Sequence, residues 1–122
     1  MYQKLIYIAY GWLVLTGVLH FVVDVLSQYL RGKRAPSPET TLYYGLNSAF
    51  SLGQVAVGLL GLMIAWRASS LLSDMPVLIV SIAAGLGWFA ITLLFMEYTE
   101  PRFNAGVFLV LMTAVVVAHR FQ

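Results

Sequence analysis

Four long apolar segments dominate this sequence of 122 residues. They cover about residues 5–30, 38–67, 75–96 and 100–121, and short stretches rich in charge, glycine or proline separate them. A helix rises ~1.5 Å per residue, so ~20 apolar residues cross the ~30 Å hydrocarbon core of a bilayer. The sequence therefore predicts an all-α integral membrane protein, with four transmembrane helices in an up-down-up-down bundle that forms a single domain.

The composition excludes several other classes of protein. Only 10% of the residues are charged, whereas a soluble domain carries roughly 25%. The lysines and arginines are scattered near the segment ends, so there is no basic face for nucleic acid. The chain has no cysteine, only two histidines and no HExxH motif, which argues against thiolate chemistry and a metal hydrolase. We expect no metal site and no cofactor.

The number of crossings bears on the location of the termini. Four crossings place both termini on the same side, and we expect the host to be a bacterial cytoplasmic (inner) membrane. We call the connections between successive helices loops 1, 2 and 3. Three positive side chains fall on the side of the termini and loop 2, and four fall on the side of loops 1 and 3. The two counts are nearly equal, so the positive-inside rule hardly favours either orientation. The cluster Arg31–Arg34 favours cytoplasmic loops 1 and 3, and the near tie also permits insertion in both orientations.

Three residues have the features of helix starts. Ser37, Asp74 and Thr99 are residue types that cap helix N-termini. Each has a proline within the next two positions, and proline is tolerated in the first helical turn. We therefore expect them to begin the second, third and fourth helices.

Polar and small residues recur at alternating steps of four and three in two segments. On a helix this spacing places them on one face. Small residues on such a face allow close helix approach, and amides can bond across it, so each face belongs against other helices. The first face consists of Thr40, Tyr44, Asn47, Ser51, Gln54, Gly58 and Gly61, and the second of Ser81, Gly85, Trp88 and Thr92.

An ionisable pair lies within the first apolar segment. Thr16, His20, Asp24 and Gln28 follow one another at steps of four, so they form a stripe on one side of the helix. An ionisable residue within an apolar helix is a functional-site hypothesis by default. The structural alternative is that His20 and Asp24 pair with each other, or bond to Asn47 and Gln54, to hold helices together.

The topology predicts a polar pocket in one half of the bundle. It brings together the end of helix 1, the start of helix 2, the end of helix 3 and the start of helix 4, where most strongly polar residues lie. The candidate catalytic residues are His20, Asp24 and Glu97. The candidate ligand-binding residues are His20, Asp24, Tyr44, Asn47, Ser51, Gln54, Trp88 and Asn104.

Three hypotheses of function follow. The first is a protein that binds a lipid or lipophilic small molecule in a half-membrane polar pocket, or that serves as an accessory subunit of a membrane complex. The second is a membrane-embedded, isomerase-like enzyme doing acid–base chemistry on a lipophilic substrate. The third is an oligomeric small transporter or channel. The expected partners are membrane lipids, a lipophilic small molecule, and further copies of the chain or a larger complex.

One local pattern bears on the enzyme hypothesis. The His-x-x-x-Asp pair, His20 and Asp24, resembles the helical acid–base pair of sterol isomerase-type membrane proteins. The resemblance covers one turn of one helix in a shorter chain, so that activity is not carried over.

Overall fold

A computed structural model describes residues 1–121 and contains four long helices. They are α1 (Tyr2–Leu30), α2 (Pro38–Arg67), α3 (Met75–Phe95) and α4 (Glu100–Arg120). A short 3₁₀ helix, Ser69–Ser73, lies between α2 and α3, and the described residues contain no strand. All four long helices are apolar enough to span a membrane, which confirms the prediction of four apolar helices and is consistent with a helical membrane protein.

The helices are not packed equally against one another. α1 packs against both α2 and α4, and α3 packs mainly against α4. α2 and α3 make few backbone contacts with each other. This order leaves a gap between α2 and α3.

Glycines bring α1 and α2 close together. A Cβ atom at Gly58 would lie 2.6 Å from Cγ2 of Val14, and one at Gly61 would overlap the ring of Tyr10. The absence of side chains at these two positions therefore permits the close approach. The predicted α2 face is confirmed where it is buried, at Ser51, Gln54, Gly58 and Gly61.

Apolar side chains fill the half of the bundle that holds the start of α1 and the end of α4. The principal buried residues there are Ile6, Ala9, Leu13, Leu78, Phe108, Met112 and Val115. One buried polar contact crosses this core: the Tyr10 hydroxyl donates to Ser81 Oγ at 2.7 Å, and Ser81 donates in turn to the Val77 carbonyl. This bond joins α1 to α3, which supports the predicted inward face of α3.

We expect Tyr10→Phe to lower the free energy of unfolding by ~1 kcal/mol, because it removes one buried hydrogen bond while Ser81 keeps its backbone acceptor. Unfolding in mixed detergent micelles, followed by circular dichroism, measures this loss. Tyr7→Phe is the matched control, because Tyr7 is 43% exposed. Equal stability of the two variants would show that the Tyr10–Ser81 bond contributes nothing.

The three predicted N-caps lie at the N-cap positions of their helices. Ser37 Oγ accepts a hydrogen bond from the Thr40 amide at 3.1 Å, which satisfies one free N–H group at the start of α2. The side chains of Asp74 and Thr99 accept no such bond. These two positions mark helix starts without the capping bond that the residue types predict.

Helix α1 contains a π-helical stretch, Phe21–Leu26, that the sequence does not predict. There the Ser27 amide donates to the Val22 carbonyl, five residues earlier. On a regular α-helix, each step of four residues moves the side chain about 40° around the helix axis. The π turn has more residues per turn, so it reduces this rotation. The side chains of His20 and Gln28 therefore both bond to α2, and Asp24 between them bonds to α2 through its backbone carbonyl.

The end of α1 is closed by a glycine. Gly32 has a φ of 59°, which favours glycine because it has no Cβ. The Gly32 amide donates to the Tyr29 carbonyl, and the Lys33 amide donates to the Gln28 carbonyl. This is the Schellman pattern of helix termination, and it turns the chain toward α2.

Candidate functional site

His20 is the centre of a hydrogen-bonded cluster between α1 and α2. Its Nδ1 lies 2.8 Å from Asp24 Oδ2, and its Nε2 lies 3.0 Å from Asn47 Oδ1. The ring also packs edge-on against Phe50, with the centroids 5.2 Å apart. The His20 side chain is only 5% exposed, so these contacts take the place of water.

Tyr43 extends the cluster toward loop 1. Its hydroxyl donates to the Asp24 backbone carbonyl at 3.3 Å and accepts from Gln28 Nε2 at 3.4 Å. The Arg34 guanidinium lies 3.5 Å from the centre of the Tyr43 ring, and its Nε donates to Gln28 Oε1. The Tyr43 backbone carbonyl accepts from Asn47 Nδ2 at 2.9 Å. We call His20, Asp24, Gln28, Tyr43 and Asn47 the polar wall.

A first cleft of about 490 Å³ lies on the α1–α4 side of the polar wall. His20, Asp24 and Gln28 line it from α1, and Asn104 lines it from α4. Charged side chains of both signs also line it, namely Arg31, Lys33 and Glu100. This α1–α4 cleft therefore presents charged groups of both signs on a lining whose surface is mostly apolar.

A second cleft of about 690 Å³ fills the gap between α2 and α3. Its lining is mostly apolar and aromatic, and includes Phe50, Trp88 and Phe95. Asn47 and Tyr43 contribute polar groups to it from the polar wall. Arg34 contributes a guanidinium from before α2, and Glu97 contributes a carboxylate from just after α3. The α2–α3 cleft therefore combines a large apolar surface with few polar groups, which is typical of sites for small molecules.

The structure divides the predicted site residues among four places. His20, Asp24 and Asn104 line the α1–α4 cleft, whereas Asn47, Trp88 and Glu97 line the α2–α3 cleft. Ser51 and Gln54 are buried where α2 meets Gly17 of α1. Tyr44 packs against the rings of Tyr29 and Tyr43 and lines neither cleft. Only His20, Asp24 and Asn47 are bonded to one another.

Sequence reasoning missed three contributors to the site. Tyr43 and Phe50 lie outside the predicted α2 face, yet Tyr43 bonds to α1 and Phe50 packs on His20. In the sequence Arg34 indicates only the orientation of the chain, whereas in the structure its guanidinium covers the Tyr43 ring. No spacing pattern indicates these contacts, because they depend on how α2 sits against the π-helical stretch of α1.

Within residues 1–121, no group of three or more His, Cys, Asp or Glu side chains could hold a metal ion. Comparison with protein-family models, with curated proteins and with solved structures finds no match to this chain.

Proposed function

We propose that this protein binds a membrane lipid or another lipophilic small molecule in the α2–α3 cleft. The observation that carries the proposal is the cleft itself, with its volume of about 690 Å³ and its aromatic sides. Sites for drug-sized ligands have volumes of roughly 300–1,000 Å³ and few polar groups. The apolar body of the ligand would lie between Phe50 and Trp88, and its polar head would reach Asn47.

We expect Ala49→Phe to lower ligand occupancy at least about tenfold, equivalent to ~1.4 kcal/mol. Ala49 lines the α2–α3 cleft and is exposed, so a larger side chain there fills the space without removing a contact. Native mass spectrometry of the gently solubilised protein, with identification of the retained molecule, measures the occupancy.

Ala56→Phe is the control for this experiment, because Ala56 is also exposed on α2 but does not line the cleft. Equal occupancy in both variants would contradict the proposed site. A protein that retains no small molecule but binds a stoichiometric protein partner would instead favour an accessory subunit of a larger membrane complex.

An isomerase-like enzyme is the second candidate, and one observation favours it. His20 is oriented by Asp24 and lines the α1–α4 cleft, and it is bonded to Asn47, a side chain of the α2–α3 cleft. A histidine oriented by a carboxylate suits general acid–base chemistry. Conversion of the retained molecule to a product of equal mass, lost in a folded Asp24→Asn variant, would support catalysis over binding alone.

We infer that the helices cross the membrane in alternate directions, in a bacterial cytoplasmic membrane, with both termini on one side. In support of this, residues 1–3 share a cavity with Ser69 and Ser70, and the end of α1 shares the α1–α4 cleft with the start of α4. With loops 1 and 3 in the cytoplasm, as the Arg31–Arg34 cluster favours, loop 2 lies outside.

We expect a cysteine at Ser70 to react with a membrane-impermeant maleimide in intact cells, and a cysteine at Ala35 to react only after permeabilisation. The wild-type chain has no cysteine, so each variant reports a single position. Both positions are exposed. The reverse pattern would invert the proposed orientation, and equal labelling at both would indicate insertion in both orientations.

A further inference from the structure

The hydrogen bonds around His20 require a hydrogen on Nε2. The Asn47 amide is oriented by Tyr43, because only Nδ2 can donate to the Tyr43 carbonyl oxygen 2.9 Å away. The acceptor Oδ1 of Asn47 therefore faces His20 Nε2, at 3.0 Å. On the other side of the ring, Nδ1 faces Asp24 Oδ2 at 2.8 Å. The imidazole thus lies between two oxygen atoms.

A neutral imidazole beside an ionised carboxylate cannot satisfy both oxygens, because it has one N–H donor and one acceptor. Two proton arrangements do satisfy them. In one, a doubly protonated ring donates to both oxygens; in the other, a protonated Asp24 donates to Nδ1 while Nε2–H donates to Asn47. Both place a hydrogen on Nε2 and make the His20–Asp24 pair neutral overall, which suits a pair 5% and 15% exposed.

The orientation of Asn47 determines what it offers to the α2–α3 cleft. Its Oδ1 is used by His20, and one of its two Nδ2 hydrogens is used by Tyr43. Among residues 1–121, no acceptor is bonded to the second Nδ2 hydrogen. Because Asn47 lines the cleft, this unused N–H group is a donor that it can present to a ligand.

We propose that the α2–α3 cleft selects lipophilic ligands that carry an acceptor oxygen over those that carry none. In this proposal His20 and Asp24 share the proton between Nδ1 and Oδ2, and the Nε2–H group of His20 orients the Asn47 amide. Ketone, ester and amide carbonyl groups are such acceptor heads. The inference rests on the proposed function and adds the chemical class of the ligand head.

The proton on Nε2 is tested directly by ¹⁵N nuclear magnetic resonance of the histidine rings at neutral pH. The chain has two histidines, so His119→Gln leaves His20 as the single source of ring signals. We expect one-bond coupling to hydrogen at Nε2. A bare Nε2 would show that the Asn47 amide is reversed, and would overturn the inference.

The class of ligand is tested with two probes of similar shape, 2-acetylnaphthalene labelled with ¹³C at its carbonyl, and 2-ethylnaphthalene. In nanodiscs we expect the ketone to bind about tenfold more tightly, as one additional hydrogen bond predicts. Isotope-edited infrared spectra should show the bound carbonyl stretch at lower wavenumber. We expect Asn47→Leu to abolish both the shift and the preference.

Thr113→Val is the control for the loss of a hydrogen-bond donor outside the cleft. Thr113 is exposed, and within residues 1–121 its hydroxyl bonds only to the Leu109 carbonyl of its own helix. It should keep the shift. A bound ketone without a shift, or an equal shift in Asn47→Leu, overturns the inference while the cleft remains a binding site. Failure of both probes to bind the wild-type protein overturns the proposed function and the inference together.

Discussion

Replacing Gly61 with alanine is expected to lower the free energy of unfolding by ~2–3 kcal/mol, although alanine is the better helix former. The added methyl group would overlap the ring of Tyr10. That ring cannot move away easily, because it is 3% exposed, packs against Phe108 and is bonded to Ser81. The substitution therefore separates α1 from α2 or breaks the Tyr10–Ser81 bond.

Two matched controls isolate the steric effect. A Cβ at Gly45 or Gly87 meets no atom within 4 Å, so alanine there should leave stability unchanged or raise it by up to ~1 kcal/mol. Unfolding by sodium dodecyl sulfate in mixed micelles, followed by circular dichroism, gives all three values. Equal stability of Gly61→Ala and Gly45→Ala would contradict the close packing of α1 on α2 at Gly61.

The second large effect is expected at the buried His20–Asp24 pair. His20→Leu should lower the free energy of unfolding by ~3 kcal/mol, because it leaves the Asp24 carboxylate, 15% exposed, without its partner. The substitution also removes the bond that joins α1 to Asn47 of α2. The same detergent unfolding assay measures the loss.

A double variant distinguishes the cost of an unpaired charge from a simple packing defect. His20→Leu combined with Asp24→Leu removes both partners, and we expect it to recover at least half of the lost stability. His119→Leu controls for the loss of a histidine as such, because His119 is exposed. A double variant as unstable as His20→Leu alone would mean that the pair is not the source of the effect.

Hydropathy and periodicity predict much of this fold. The four long helices follow from segment length and composition, and the inward faces of α2 and α3 follow from the three–four spacing. The π-helical stretch Phe21–Leu26 is different, because it is accompanied by a contact with another helix. In this contact the Tyr43 hydroxyl of α2 donates to the Asp24 carbonyl. Local sequence patterns carry no signal for such a contact.

Three residues of the polar wall stand out in the sequence, but the division of the predicted pocket into two clefts does not. His20, Asp24 and Asn47 are conspicuous because they are polar within apolar segments. Whether they share a pocket with Trp88 depends on which helices are neighbours, and periodicity on each helix does not specify the order around the bundle. Because α2 and α3 are separated by a gap, the polar wall divides the predicted pocket into two clefts.

The α2–α3 cleft opens along the flank of the bundle, where Leu46, Ala49, Ile91 and Phe95 are exposed. In a bilayer this flank would face acyl chains, so the proposed lipophilic ligand would arrive by lateral diffusion within the leaflet. Its occupancy would then depend on the molar ratio of ligand to lipid, because partitioning would concentrate the ligand in the same thin layer as the cleft. Diluting proteoliposomes with buffer at a fixed ratio would leave the site filled, and modest intrinsic affinity would suffice to keep it so.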